Sequence, residues 1–514
     1  MPRRAFVLLL ILGLALLLRL PSLGQRSLWY DEAFAVLFAR QGLDAMLYGT
    51  LTPVLGGAAD IHPLLYYLSL NAWMSVFGQG VFVVRLWSVI LGLASIAALY
   101  ALLHDLLDER AALFGALATA LVGFHVHYSQ EARMYSLLAT LLILTTWCAL
   151  RAWRANDRAR WAWWSGFGGC AALAMYTQQL AAFYLVVLGL IVLSLALRYR
   201  RCDALIGLVL GAGSALLLYT PWIIHLPAQL DKVRSYYWVT QPTPADFFQT
   251  LYLFLTVYAE LSAEGLLLGL MGSTALLTLA LLTWLMALRK PTSRRQARSA
   301  GLLVALWLGP MALMWFVSQL QPVFLERSLI ASAAMLYGFV GWSISHARTP
   351  RPLRVLMALL FLGLSVLGLN AQYSLDTFPY SPVHRLIEDV REDWRPGDRL
   401  IHVNKLSALP GRYYGPDLDQ HYLADSLGAA EDTLALPTQE ALSFLADPDM
   451  PTAAGNAPRL WIVIYARAER EYAATGRPEW AQALAWLKQA GYERTETQVF
   501  NDLLLYRYER EGQA

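Results

Sequence analysis

VFVVRLWSVILGLASIAALYALL, Val81–Leu103, carries a single charge, Arg85, near its start. At about 1.5 Å of rise per residue such a run makes a helix about long enough to cross a hydrocarbon core of ~30 Å. Hydropathy read over windows of about 19 residues finds similar runs at 5–20, 111–125, 134–151, 162–177, 180–197, 204–224, 265–288, 300–319, 329–346 and 353–371. With 81–103 they make eleven expected crossings, of which 111–125 and 162–177 are among the shortest. Composition agrees: of 514 residues 57% are hydrophobic and only 15% charged, against roughly 25% charged in soluble domains. The chain is an α-helical polytopic membrane protein and not a soluble globular one.

The opening MPRRAFVLLLILGLALLLRLPSLG has the basic start and apolar core of a signal peptide. Its core is longer than typical and no small-x-small site follows, so it is read as a retained first helix. Cys148, Cys170 and Cys202 fall in or beside predicted membrane helices, which supports neither a disulfide framework nor a metal cluster. The net charge of +3 gives no reason to expect a nucleic-acid partner.

Charge location gives the topology. With Arg3 and Arg4 cytoplasmic, the same side holds Arg151, Arg154, Arg158 and Arg160, then Arg198, Arg200 and Arg201, then RKPTSRRQAR at 289–298, then Arg348, Arg351 and Arg354. That obeys the positive-inside rule. Eleven crossings then place everything after residue 371 outside, on the periplasmic side of a cytoplasmic (inner) membrane. The expected division is a membrane domain over 1–371, a first external loop over 21–80 and an external α/β domain over 372–514. In that last part DRLIHVN (398–404), RLWIVIYA (459–466) and NDLLLYRYER read as strands. EWAQALAWLKQAG (479–491) reads as a helix ended by Gly491. Small-residue pairs four apart, Gly207 with Gly211 and Gly265 with Gly269, suit close helix packing.

The unusual polar residues share the outer side. In the first loop, EAFAVLFARQG and PLLYYLSLNAWMSVFG read as short helices lying in the membrane interface, with Trp29, Tyr30, Tyr66, Tyr67 and Trp73 as interfacial aromatics. Asp31 and Glu32 open the first of these, and Asp60 precedes His62 and Pro63 at the second. Acids in a first turn also complement the helix dipole, for about 0.3 to 1 kcal/mol. A carboxylate set between Trp and Tyr costs more desolvation than a cap returns, which singles out Asp31. HYSQEARMYSL (127–137) adds Tyr128, Glu131, Arg133 and Tyr135, and FLERSLIAS (324–332) adds Glu326 and Arg327. Carboxylates beside isolated arginines suit a reaction between a lipid-borne phosphate, which arginine fixes, and a nucleophile that a carboxylate deprotonates.

The ordered set LWYDEAFA, DIHPLLYYLSLNAW, VRLWSVILG, YSQEARMYSL and ERSLI resembles the GT-C glycosyltransferases, in particular their protein O-mannosyltransferase and aminoarabinose-transferase-like group. The resemblance spans residues 1–345 and thins over the tail. It implies a polyprenyl-phosphate monosaccharide as donor, transfer on the external face and inversion at the anomeric carbon. By the same resemblance Asp31 is the base, Asp60 the second catalytic acid, and Glu131 and Arg133 a matching segment. Glu32, His62, Tyr128, Glu131, Arg133, Tyr135, Glu326 and Arg327 are the candidate substrate-binding residues. Asp31 and Asp60 are also the pair that would hold a divalent cation, if one is used. The aminoarabinose branch has a Lys beside its second acid where this chain has Ile61 and His62, so lipid A specificity does not follow. The acceptor stays open among lipid, glycan and protein, with RYYGPDLDQHY (412–422) as the place to look for its contacts. The other readings of the same hydropathy are a secondary transporter and a non-catalytic scaffold. Transporters place charges at the midplane of repeated halves, whereas these spans are nearly free of acids.

Overall fold

The computed structural model describes residues 2–510 except 55–56, 157, 237, 258–261, 426–432 and 476–477. Its helical part runs α1 (Pro2–Leu17), α2 (Tyr30–Ala39), α3 (Leu43–Leu51), a two-stranded β1 (Pro53–Val54) and β2 (Gly57–Ala58), α4 (Leu65–Phe77) and α5 (Val81–Leu106). It continues through α6 (Glu109–Leu121), α7 (Gly123–Gln130), α8 (Tyr135–Arg154), α9 (Ala159–Thr177), α10 (Ala181–Arg198) and α11 (Cys202–Ile223). Then come α12 (Leu226–Tyr236), α13 (Pro244–Leu255), α14 (Ala263–Arg289), α15 (Arg294–Val317), a 3-10 turn (Glu326–Leu329), α16 (Ile330–Ser345) and α17 (Arg351–Ser374).

Each of the eleven expected spans falls on helix. By length and apolarity 8 described helices are able to cross a membrane: α5, α8, α10, α11, α14, α15, α16 with its 3-10 turn, and α17. The pair α6–α7, bent by 61°, would be a ninth. The remaining expected spans, α1 and α9, lie outside that set. The basic loops gather at one end of the bundle around a few acids. Arg4 meets Glu109 at 2.8 Å, Arg151 meets Asp105 at 3.3 Å, and Arg160 and Arg201 both meet Asp203 at 2.7 Å.

The first loop differs from the expected interfacial platform. α2 packs against α3, α4 and two helices of the C-terminal part, and Glu32–Ala39 is buried throughout. The reason is in its sequence: AFAVLFA is apolar on every side, which makes a core helix, not a surface one. α4 keeps the single stripe, with Tyr66, Tyr67, Leu70 and Met74 buried and Val76 and Phe77 exposed.

After α17 the chain forms α18 (Val383–Glu392), β3 (Arg399–His402), α19 (Lys405–Tyr414), β4 (Gln420–Tyr422), α20 (Leu436–Leu442) and α21 (Met450–Ala454). β5 (Arg459–Tyr465), α22 (Ala466–Thr475), α23 (Pro478–Gln489), β6 (Tyr492–Phe500) and β7 (Leu503–Arg510) complete it. One sheet results, in the order β4-β3-β5-β7-β6, with β4, β3 and β5 parallel and β7 antiparallel to both its neighbours. β5 is buried at every position, as its unbroken apolar run requires of a central strand. A separate core fills this part from Val383 to Tyr508. Ala408, Leu409, Tyr422, Ala441, Leu442 and Phe444 belong instead to the large core that also holds α2.

Candidate active site

The site forms where α2 begins, facing the turn 131–134, the 3-10 turn and the strand leading to Asp60. Of the two adjacent acids, Glu32 is fully buried and bonded to capacity. Its Oε1 accepts from Arg85 Nε and Ala132 N, both at 2.8 Å, and its Oε2 accepts from Arg85 Nη2 at 2.6 Å and Trp29 N at 3.4 Å. Arg85 spends its remaining donors on the carbonyls of Leu23, Arg26 and Ser27. Glu32, expected among the substrate-binding residues, therefore ties α2 to α5 with both its oxygens engaged within the protein. Sequence reading assigned Arg85 no partner, although an Arg set inside an apolar span needs one.

Asp31 is the acid left open. Its Oδ2 lies 3.2 Å from Arg327 Nη1 and 3.8 Å from Arg133 Nε. Arg133 also donates Nη1 to the Asp31 carbonyl at 3.3 Å and to Tyr67 OH at 3.4 Å. Arg327 sits between the rings of Trp29, Tyr135 and Trp238, at 6.0, 5.5 and 5.6 Å. Burial alone would raise the Asp31 carboxyl, but Arg133, Arg327, His62 and Lys405 outweigh it and hold it below its ordinary value.

Asp60 accepts at Oδ1 from its neighbour Ile61 N at 2.6 Å and faces His62 Nδ1 at 3.0 Å. Burial opposes its ionisation, yet His62, Lys232 and the Ile61 amide bring its carboxyl down to about 2. The lysine that the sequence lacks beside Asp60 arrives from α12: Lys232 Nζ donates to Ala59 O at 2.6 Å, and Gln229 Nε2 to Asp60 O at 3.2 Å. Gly57 makes this approach, because a Cβ there would stand 2.3 Å from Ala228 O. Burial pushes the Tyr30 and Tyr67 phenols up, and Asp31 and Asp60 add to the shift while Arg133 opposes it.

The remaining candidates gather around Arg327. The Tyr128 and Tyr135 rings meet edge to face at 5.0 Å, and Glu326 precedes Arg327 in the 3-10 turn. Glu131 Oε1 lies 3.3 Å from His127 Nε2, while its buried Oε2 has no partner among the described residues. His127 Nδ1 faces Gln372 Oε1 at 2.8 Å, and Gln372 Nε2 donates to Gln130 Oε1 at 2.9 Å.

The C-terminal part contributes a residue that sequence reading missed, Lys405, whose Nζ stands 5.4 Å over the Tyr30 ring. The stretch expected to contact an acceptor also makes contacts within the protein. Tyr414 OH accepts from Leu28 N at 2.8 Å and Tyr413 OH donates to Gln79 O at 2.7 Å, so this pair docks the C-terminal part on the first loop. The donor set does not suit a divalent cation: arginines occupy the open side of Asp31, and a histidine and an amide that of Asp60. Among the described residues no group of three or more His, Cys, Asp or Glu is arranged to hold a metal ion.

Residues 61–225 match the family model described as dolichyl-phosphate-mannose-protein mannosyltransferase. The whole chain superposes on ArnT from Cupriavidus metallidurans in the apo state with a TM-score of 0.62, over 97% of both chains at 14% identity. It also superposes on the oligosaccharyltransferase of Archaeoglobus fulgidus with a TM-score of 0.53, over 91% of this chain and 70% of the other at 12% identity. The chain has the GT-C glycosyltransferase fold. Among curated relatives, the undecaprenyl phosphate-alpha-4-amino-4-deoxy-L-arabinose arabinosyl transferase of Pseudomonas aeruginosa is 29% identical over 247 residues, 46% of this chain. The enzyme of the same name from Pseudomonas paraeruginosa is 30% identical over 182 residues, 34% of this chain. The match spans 44% of the length of the former relative and 32% of the latter.

Proposed function

We propose that the chain is a membrane glycosyltransferase that moves a monosaccharide from a polyprenyl-phosphate donor to an acceptor, with inversion, at the outer face of the cytoplasmic membrane. In this reading the N-terminus is cytoplasmic and the part after α17 is periplasmic. The observation that carries it is the Asp31 carboxylate with two buried-side arginines converging on one oxygen. The names of the curated relatives, and the structure of ArnT bound to undecaprenyl phosphate, with a TM-score of 0.58 over 97% of this chain, support the donor class.

Asp31 takes the proton from an acceptor hydroxyl or amine, whose lone pair attacks the anomeric carbon. The bond from that carbon to the phosphate oxygen breaks on the opposite face, and the electron pair leaves with the polyprenyl phosphate. A phosphate needs no general acid to depart; it needs its charge met, and Arg327 is the group that does so. Arg133 holds the Asp31 backbone and adds to the field. Asp31 is ionised at neutral pH because its neighbours keep its carboxyl low, and as base it contributes roughly 10² to 10⁴ in rate. Asp60, paired with His62 and near Lys232, orders the second wall of the site.

The test is release of radiolabelled sugar from a polyprenyl-phosphate donor to membrane extract by the purified protein, with Asp31→Asn as the variant. Transfer is expected in the wild type and a loss of at least roughly a hundredfold in Asp31→Asn, at an unchanged melting temperature. Near wild-type turnover in the folded variant would remove Asp31 from the base role.

A further inference from the structure

Arg327 has five N–H donors, and among the described residues its one hydrogen bond goes to Asp31. Its Nε is buried without a partner, and its other neighbours are ring faces. Arg133 shares the buried, partnerless Nε, but its Nη1 is pinned by the Asp31 carbonyl and Tyr67 and it is 3% exposed, whereas Arg327 is 16% exposed. Of the two cations on Asp31, only Arg327 is both under-bonded and reachable. Its bond to Asp31 is single and 3.2 Å long, weaker than the short, paired hydrogen bonds that a guanidinium makes to a phosphate.

From this geometry we infer that Arg327 is an exchangeable partner: it holds Asp31 in the empty site and transfers to the donor phosphate when the lipid binds, so that donor binding itself frees the base. The inference rests on the donor reading above. Before the phosphate arrives, Asp31 is neutralised and screened from an acceptor by a guanidinium. Afterwards the carboxylate faces the acceptor with its nearest cation gone, and removal of that cation makes it more basic. The site thus acquires an order, donor before acceptor, which also guards an activated sugar from reaction at a half-filled site.

A consequence distinguishes exchange from simple attraction. If Arg327 must leave Asp31 to bind phosphate, the carboxylate competes with the lipid, and removing its charge tightens phosphate binding through Arg327 alone. The experiment is titration of undecaprenyl phosphate into the full-length protein in detergent micelles, for wild type, Asp31→Asn, Arg327→Ala and the double variant. We expect about tenfold tighter binding in Asp31→Asn, weaker binding in Arg327→Ala, and no gain from Asp31→Asn once Arg327 is absent, a non-additivity read as a double-mutant cycle. Equal tightening in both backgrounds would mean a general field effect and overturn the exchange. So would weakened binding in Arg327→Ala with no tightening in Asp31→Asn, which leaves the donor reading standing. Unchanged affinity in Arg327→Ala would remove the phosphate contact itself. Should Asp31→Asn fold poorly, Asp31→Ala carries the same comparison.

Discussion

Adjacent residues on a helix point about 100° apart, and at the start of α2 that angle separates two acids into different chemistries. Asp31 turns to the open side, where Arg327 meets it at 3.2 Å; Glu32 turns inward to Arg85 at 2.6 Å. The Glu32–Arg85 pair is buried with every charged atom bonded, so loss of either partner strands a charge. Arg85→Ala is expected to cost about 3 to 5 kcal/mol, seen as a lower thermal unfolding midpoint in detergent, while Asp31→Asn leaves the midpoint in place. Equal midpoints for Arg85→Ala and wild type would show the pair to be dispensable. The sequence displayed the two acids and their unusual setting. It singled out Asp31 but did not show the buried ion pair that occupies Glu32, because the partner lies 53 residues away, on another helix.

At the scale of elements, the tightest packing follows the small residues. α11 lays Gly207 against Trp164 of α9, where a Cβ would stand 2.0 Å from the indole nitrogen, and Gly211 against Phe167. Gly207→Val must expel Trp164 from its slot, for about 1 to 3 kcal/mol of overpacking strain. Gly213→Val on the same helix meets nothing within 4 Å and serves as the control. Thermal midpoints should fall for the first and hold for the second; equal behaviour would sever glycine spacing from packing here. This much was legible as a spacing of four in the sequence. The bend between α6 and α7 was not, since no proline marks it. It occurs where Gly123 comes within 2.7 Å, at its Cβ position, of Thr256 O and close to Gly368. β4 and β6 escaped for another reason. The first has 3 residues, and the second, YERTETQVF, is an edge strand whose exposed face carries no apolar alternation.

Over the whole molecule, the unexpected feature is how the C-terminal part completes the core around α2. An external domain read from composition suggests a module that stands apart, and its own core from Val383 to Tyr508 fits that idea. Yet α19 and α20 place Ala408, Leu409, Ala441 and Leu442 in the core of the helical part. Polar ties run alongside: Tyr414 OH to Leu28 N, Ser27 Oγ 2.7 Å from His384 Nδ1, and Thr438 Oγ1 to Gly49 O at 2.8 Å. Tyr380 lies beneath the guanidinium groups of Arg26 and Arg85, at 4.8 and 5.7 Å. Removing everything after Ser374 would therefore uncover α2 along the face that α19 covers, leave the Leu28 N–H unpaired and bring water towards the Glu32–Arg85 pair. An apolar helix with no surface face has no stable exposed state. The truncated chain is expected to aggregate on extraction and to lose undecaprenyl phosphate binding by more than about tenfold, because the helix that carries Asp31 and positions it against Arg327 is no longer held. Size-exclusion profiles and lipid titration read both effects. A monodisperse truncated protein that binds the lipid within about twofold of the full chain would show that α2 is held by the helical part alone, and that the C-terminal part is the detachable module its composition suggests.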